Sequence, residues 1–278
     1  MRVLVTGASG QLAHAVRHIW QDHELILPEE SVLDLGKREA LFSVVAEVRP
    51  EVLINCAAFT QVDRCESEAE LAHLINATAV GWLAEACEAQ KAMLIQISTD
   101  YVFDGTGARP YREDDPTNPV SVYGRTKLEG ERQAATCSRH LIARTSWLYD
   151  AWGKNFLNTM LNAAAQGKAL RVVDDQRGAP TTCRALARQL QLAAAQDWRG
   201  LVHMTCQGET TWHGFAQAIF AAKGMAVDLS PCTTADYPTP AQRPAYSVLD
   251  GGRRRSLGTD LMPDWHKALR EVVEDPEG

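Results

Sequence analysis

The feature that most constrains this chain is an alternation. Short apolar runs are separated by segments whose apolar residues recur at helical spacing. Arg2–Thr6 reads as a strand, Gly7–Gly10 as a turn, and Gln11–Asp22 as a helix carrying Leu12, Ala15, Val16 and Ile19 on one side. Glu24–Leu27 is a second strand stopped by Pro28. Lys37–Val48 is a helix with Leu41, Val44, Val45 and Val48 on one face, and Val52–Asn55 follows Pro50 as a third strand. The Ala- and Leu-rich stretch Leu71–Ala89 predicts a long helix, Leu94–Ser98 a fourth strand, Gly124–Ala135 a helix and Leu141–Arg144 a fifth strand. Strands separated by helices pair in parallel through right-handed crossovers, which makes an α/β fold with a doubly wound parallel sheet.

Beyond Trp147 the rhythm loosens. Asn155–Gln166, Ala185–Ala195 and Trp212–Ala222 read as helices and Leu201–Thr205 as a strand. Tyr237-Pro-Thr-Pro240 with Arg243-Pro244 reads as an ordered loop. The expectation is a smaller, interleaved α+β C-terminal lobe made of residues 149–180 and 208–278, threaded through a larger domain of residues 1–148 and 181–207. A chain of 278 residues is long enough for two such lobes.

The first strand-to-helix turn carries Gly7-x-x-Gly10-x-x-Ala13. The first glycine permits a tight turn and the second lets backbone approach a pyrophosphate. The small third residue lets helix meet strand, the dinucleotide-binding arrangement of a Rossmann fold. Phosphates there meet the free N–H groups and dipole of the helix N-terminus. Glu29, just past the second strand, is placed to accept from the adenosine ribose hydroxyls. An acid there disfavours a 2′-phosphate, and no Arg adjoins it in sequence, so NADH is favoured slightly over NADPH. Asp34 and Leu35 would cap the adenine side.

Composition excludes several functions. The net charge of −7 argues against nucleic acid or an anionic membrane surface as partner. No apolar run approaches the roughly 20 residues that span a bilayer. Met1-Arg2 leads into a strand with no signal-peptide layout. The seven cysteines (56, 65, 87, 137, 183, 206 and 232) are odd in number, widely spaced and never C-x-x-C. They read as reduced thiols of a cytoplasmic protein.

Tyr123-Gly-Arg-Thr-Lys127 suggests chemistry. Residues four apart share a helix face. A neighbouring ammonium favours a phenolate, and a fall of roughly three units from the usual phenol value would take about 4 kcal/mol of differential stabilisation. Such a Tyr could exchange a proton with a carbonyl or alcohol near neutral pH. Thr99, in Ser98-Thr-Asp100 at the end of the fourth strand, precedes this pair.

These motifs, taken in order, resemble the dTDP-4-dehydrorhamnose reductases of the extended short-chain dehydrogenase/reductase family. The resemblance is carried by Gly7-x-x-Gly10-Gln11-Leu12, Asn55-Cys-Ala-Ala-Phe-Thr60-x-Val-Asp63, Ser98-Thr-Asp-Tyr-Val-Phe-Asp-Gly105 and Tyr123-Gly-Arg-Thr-Lys127-Leu-x-Gly-Glu131. Arg144-Thr-Ser-Trp147, Asn155-Phe156, Asp175-Gln176-x-Gly-Ala-Pro-Thr181, Thr210-Thr-Trp-His213, Arg243-Pro244 and Pro263-Asp-Trp265 continue it to the C-terminus.

The resemblance implies reduction, with NADH or NADPH, of the C4 ketone of dTDP-4-dehydro-L-rhamnose or a related dTDP-linked 4-keto-6-deoxy sugar. In it Tyr123 donates the proton, Lys127 holds the nicotinamide ribose and acidifies the phenol, and Thr99 donates to the developing alkoxide. Gly7, Gly10, Gln11, Leu12, Ala58, Phe59 and Thr60 would surround the cofactor, while Asp100 and Trp147 would meet the sugar nucleotide. Asn155, Gln176 and Arg243 are further substrate candidates, Arg243 through a bidentate grip on the diphosphate. Some relatives are dimers bridged by Mg²⁺ through glutamates, whose places hold Ala15 and Arg184 here. No metal and a monomer are therefore expected, since a guanidinium offers no lone pair.

Two other readings compete with this one. A 4,6-dehydratase or epimerase shares the fold, but a dehydratase needs an Asp-Glu pair after the Thr, and Asp100 is followed by Tyr101. A non-catalytic regulatory subunit, similar to that of methionine adenosyltransferase, is disfavoured by retention of Thr99, Tyr123 and Lys127.

Overall fold

A computed structural model describes residues 1–276; the last two residues assigned to the C-terminal lobe, Glu277 and Gly278, lie outside the described residues. The chain begins β1 (Arg2–Thr6), α1 (Gln11–Ile19), β2 (Glu24–Ile26), α2 (Arg38–Val48) and β3 (Val52–Asn55). It continues through α3 (Val62–Ser67), α4 (Ala69–His73), a π-helical turn over Leu74–Thr78, α5 (Ala79–Gln90) and β4 (Met93–Thr99). A 3-10 turn at Asp100–Val102, α6 (Val122–Ala134) and β5 (His140–Thr145) complete this part. There follow β6 (Leu148–Tyr149), α7 (Phe156–Ala165), β7 (Leu170–Val173), β8 (Arg177–Gly178), β9 (Thr181–Thr182), α8 (Cys183–Ala195) and β10 (Gly200–His203). The chain ends with β11 (Thr210–Thr211), α9 (Trp212–Ala222), β12 (Leu229–Cys232), α10 (Gly252–Ser256) and α11 (Trp265–Glu274).

Six strands form one sheet in the order β10-β5-β4-β3-β1-β2, every neighbouring pair parallel. The chain steps outward from β1 to β2 and then returns to the other side of β1 as β3. That reversal opens a crevice outside the strands' carboxyl ends. Side chains alternate between two apolar layers. Val3, Val5, Ile54 and Ile95 pack with α1 and α8, whereas Leu4, Leu53 and Leu94 pack with α2 and α5. Sheets buried on both faces need such near-continuous apolar strands. A third apolar cluster joins Tyr149, Leu157, Phe215, Ile219, Trp265 and Leu269 from the later part of the chain.

The expected long helix over Leu71–Ala89 is interrupted. The π-helical turn places the Asn76 amide so that its Oδ1 accepts from the Phe59 N–H at 2.8 Å. Its Nδ2 donates to the Phe59 carbonyl and to Thr126 Oγ1, both at 3.1 Å. One extra residue in a helical turn re-aims a side chain, and here it ties the loop after β3 to α6. The first helix is also shorter than expected, ending at Ile19 where Trp20 turns into the core.

Candidate active site

Four strand ends converge on the crevice. β1 passes into Gly7, whose φ of 69° suits glycine and where a Cβ would come within 2.9 Å of the Ala57 backbone. The Gly10 N–H closes the turn on the Gly7 carbonyl at 2.8 Å. Gly10 then opens α1 without a side-chain cap, so the first-turn N–H groups of that helix are left for a ligand. Behind this turn, the Asn55 amide donates to Gln96 Oε1 at 2.8 Å, and the Gln96 amide donates to the Ile97 carbonyl at 2.8 Å. This buried polar row fixes the ends of β3 and β4.

The crevice has a volume of about 1360 Å³. It is lined by the cofactor candidates Gly7, Gly10, Gln11, Leu12, Glu29, Asp34, Leu35, Ala58, Phe59 and Thr60. The reaction candidates Thr99, Asp100, Tyr123, Lys127 and Trp147 line the same crevice. A dinucleotide with its substrate needs a space of this size, larger than ordinary small-molecule pockets. The uncapped helix and close-set glycines fit its pyrophosphate.

Three candidate substrate residues do not line the crevice. Asn155 caps α7 by accepting from the Asn158 N–H and donates to the Asp150 carbonyl. Gln176 donates to Thr234 Oγ1 at 3.0 Å. Arg243 forms an ion pair with Asp63, Nη2 to Oδ2 at 2.9 Å, and also donates to Thr239 and the Ala241 carbonyl. The Asp63 carboxyl is accordingly held below its usual range, chiefly by the hydrogen bond from Arg243.

Tyr123 and Lys127 both lie on α6. Ser121 caps that helix, its Oγ accepting from the Gly124 N–H at 3.1 Å. At Gly124 a Cβ would fall 2.2 Å from the Tyr101 carbonyl oxygen, so only glycine lets α6 sit tightly on the turn after Thr99. The Lys127 ammonium is buried and donates to the Ile97 carbonyl at 2.6 Å. Burial lowers its pKa from the ordinary lysine value to about 8, against the pull of Glu131 one turn further along. Glu131 is itself engaged, by Arg144 through two bonds of 2.8 and 2.7 Å and by the Ser98 hydroxyl.

The expectation of an acidified phenol is not met. Enclosure of the Tyr123 hydroxyl among protein atoms pushes its pKa above the ordinary phenol value. The Thr99 hydroxyl beside it opposes that rise. The physical reason is geometric, because the Lys127 ammonium is turned to the Ile97 carbonyl. The Tyr123 hydroxyl therefore keeps its proton at neutral pH.

Thr99 is committed in a way its sequence position does not reveal. Its hydroxyl donates to Asp100 Oδ1 at 3.0 Å and accepts from the Tyr101 N–H at 3.2 Å. Ser247, from a distant loop, donates to the other Asp100 oxygen. Asp100 is 2% exposed, and burial raises its pKa to about 6 against the pull of those two hydroxyls. A hydroxyl has one proton to give, so Thr99 cannot at once serve an ionised Asp100 and a substrate oxygen.

Several further residues line the crevice that were not among the sequence candidates. Arg17 of α1 lines the crevice together with Glu29. Trp212 lines it and stacks on Trp147. Thr145 lies beside Thr99 in register and also lines it. Lys154 reaches it from the loop before α7. Among the described residues, no three His, Cys, Asp or Glu side chains gather as a metal site. Ala15 is buried in the core, and Arg184 forms a buried ion pair with Asp150 at 2.7 Å. All seven cysteines are unpaired.

A parallel sheet with a glycine turn into an uncapped helix, and a Tyr and Lys from one helix in the same crevice, define a dinucleotide-dependent oxidoreductase of the extended short-chain type. Comparison with known proteins narrows the class. Residues 1–277 match the family model described as the RmlD substrate binding domain. The dTDP-4-dehydrorhamnose reductase of Burkholderia thailandensis is 42% identical over 297 residues, covering 99% of each chain. Among solved structures, a dTDP-4-dehydrorhamnose reductase from Clostridium acetobutylicum superposes with a TM-score of 0.96 at 40% identity, covering 100% of each chain. The enzyme of that name from Bacillus anthracis, in complex with NADP, gives a TM-score of 0.96 at 33% identity over 99% of each chain. The chain belongs to the dTDP-4-dehydrorhamnose reductase family and is an NAD(P)H-dependent oxidoreductase.

Proposed function

We propose that this chain reduces the C4 ketone of dTDP-4-dehydro-L-rhamnose, or a closely related dTDP-4-keto-6-deoxyhexose, to the corresponding alcohol, giving dTDP-L-rhamnose. The observation that carries this reading is the presence of Thr99, Tyr123 and Lys127 in one crevice with the Gly7–Leu12 turn. The bound dinucleotide would supply a hydride to the ketone carbon. Tyr123, neutral in its enclosed position, delivers the proton to the ketone oxygen. Lys127, anchored on the Ile97 carbonyl, holds the ribose. Gly7, Gly10, Gln11, Leu12, Glu29, Asp34, Leu35, Ala58, Phe59 and Thr60 form the coenzyme's cradle.

Thr99 assists only when its proton is free. A protonated Asp100 donates back to Thr99 Oγ1, and Thr99 can then donate to the substrate oxygen. In this reading Asp100 governs the direction of the hydroxyl chain, and Trp147 meets the sugar. Arg243, Gln176 and Asn155 shape the loops around the nucleotide rather than touch it, because each is occupied by protein partners.

Arg17 and Glu29 share the adenosine end. The carboxylate serves a ribose 2′-hydroxyl and the guanidinium a 2′-phosphate, so both NADH and NADPH are accepted. β10 and α8, within 181–207, are built into the sheet, while α7, α9 and α11 share their own apolar cluster. This supports residues 1–148 and 181–207 as the coenzyme half, with 149–180 and 208–278 as the sugar-nucleotide half. The protein acts as a cytoplasmic monomer without a metal bridge, as the buried Ala15, the Arg184–Asp150 pair and the unpaired thiols suggest.

The test is direct. Dialysed protein is mixed with NADPH or NADH and the 4-keto sugar nucleotide, and absorbance of the reduced nicotinamide is followed. Stoichiometric oxidation is expected. Redox-neutral turnover would indicate an epimerase or dehydratase, and no turnover with capture of another enzyme would indicate a regulatory subunit.

A further inference from the structure

Trp147 lies two residues beyond β5 with a φ of 47°. A bulky side chain occupies that left-handed region only where its surroundings hold it. Trp212, the first residue of α9, stacks on it with ring centroids 3.5 Å apart and planes 5° from parallel. On another side lies Gly178 of β8, where a Cβ would come within 2.4 Å of Trp147 Cε2 and 2.6 Å of its Nε1. The indole therefore rests against bare backbone. Trp212 in turn packs on Phe156 of α7, centroids 4.6 Å apart, and so belongs to the C-terminal apolar cluster.

Both indoles line the crevice, and Trp147 follows the strand whose Thr145 is in register with Thr99. The stacked pair therefore stands at the crevice wall, beside the strand end that carries Thr145. An aromatic face is electron-rich and attracts the polarised C–H edges of a sugar ring, but only if the plane is held at one orientation. Holding it before the sugar arrives removes an ordering cost from binding.

We propose that Trp212 and Gly178 are positioning residues that fix the Trp147 indole as a rigid apolar wall for the deoxyhexose ring, and so set affinity for the sugar rather than for the nucleotide. This rests on the reading of a 4-keto-6-deoxy sugar nucleotide as substrate. Neither residue transfers a proton or a hydride. Trp212 acts through the ring it stacks on, and Gly178 through the space it leaves.

Three variants of the full chain test this: Trp212→Leu, Trp212→Phe and Gly178→Ala. Two stacked indoles couple excitonically, giving a paired circular-dichroism signal that one indole cannot give. That signal is expected to vanish in Trp212→Leu and Trp212→Phe and to change in Gly178→Ala. In Trp212→Leu, the KM for the 4-keto sugar nucleotide should rise about tenfold while inhibition by dTDP, which lacks the sugar, is unchanged. Trp212→Phe, which keeps an aromatic face, should restore most of that loss and is the more conservative probe should Trp212→Leu fold poorly. Gly178→Ala should raise KM in the same direction. A wild type that does not reduce the sugar nucleotide ends the functional reading and this inference with it. A wild type that does so, with variants whose sugar KM is unchanged or whose dTDP affinity falls in step, ends this inference alone.

Discussion

Replacing Lys127 with Met should make the protein more stable and nearly inactive. Lys127 is buried with 3% of its surface exposed, and burial draws its pKa from 10.5 down to about 8. That fall of roughly 2.5 units corresponds to a folding penalty on the order of 3 kcal/mol at neutral pH, where the buried amine is charged. Met removes the charge and keeps most of the volume. It loses one hydrogen bond, to the Ile97 carbonyl, at a cost of about 1 kcal/mol. That carbonyl still accepts from Gln96 Nε2, and Glu131 keeps Arg144 and Ser98, so no polar group is orphaned.

A net gain of about 2 kcal/mol should raise Tm by about 4 °C in the absence of coenzyme. The sign of the pH dependence follows from the same shift. Between pH 8 and 10.5 the unfolded chain keeps a proton that the folded chain has released, so wild-type stability gains on the variant as pH rises. Thermal unfolding of both proteins from pH 7 to 10 measures the gap, which should be widest at pH 7 and close towards pH 10. A variant less stable than wild type at pH 7, or a gap independent of pH, would refute the assignment of a strained buried ammonium.

Other outcomes follow from the site. Tyr123→Phe should lower kcat by about 10²–10⁴-fold with the dissociation constant for NADPH unchanged, measured by stopped-flow and fluorescence titration. If Asp100 controls the Thr99 proton, wild-type kcat should rise as pH falls through about 6, where Asp100 becomes protonated. Asp100→Asn, whose amide can donate to Thr99 permanently, should flatten that limb, and an unchanged limb would reassign it. Arg17→Ala should raise the KM for NADPH about fivefold or more and leave that for NADH alone; equal effects on both would remove Arg17 from coenzyme choice.

The frame of the molecule was legible wherever a strand is buried on both faces or a helix has one apolar side. β1, β3 and α9 fall where the apolar pattern puts them. Two-residue strands such as β6, β8, β9 and β11 have no period to detect. Helix α11 was readable and missed, since Asp264 caps it and Trp265, Ala268, Leu269 and Val272 repeat at helical spacing. The π-helical turn at Asn76 is set by contacts with Phe59 and Thr126, so its own segment reads as plain helix. Site residues on the strand-end loops were legible from local motifs. Arg17, the stacking of Trp212 on Trp147 and the Ser247–Asp100 bond were not, because each is joined to the site only by folding. The phenol's raised pKa was hidden for a similar reason, since four-residue spacing places Lys127 near Tyr123 without saying which carbonyl the ammonium faces.

The late arrival of β10 has a consequence for biogenesis. β5 is paired on one side by β4 as soon as both exist, but its other side waits for Gly200–His203, made after the chain has already laid down α7 and α8. Until then a nascent chain on the ribosome exposes an open row of backbone donors and acceptors, a template for mispairing with its neighbours. Truncations that stop before β10 should therefore yield inclusion bodies rather than a working coenzyme-binding fragment, and synthesis of this protein has its most hazardous interval between β5 and β10.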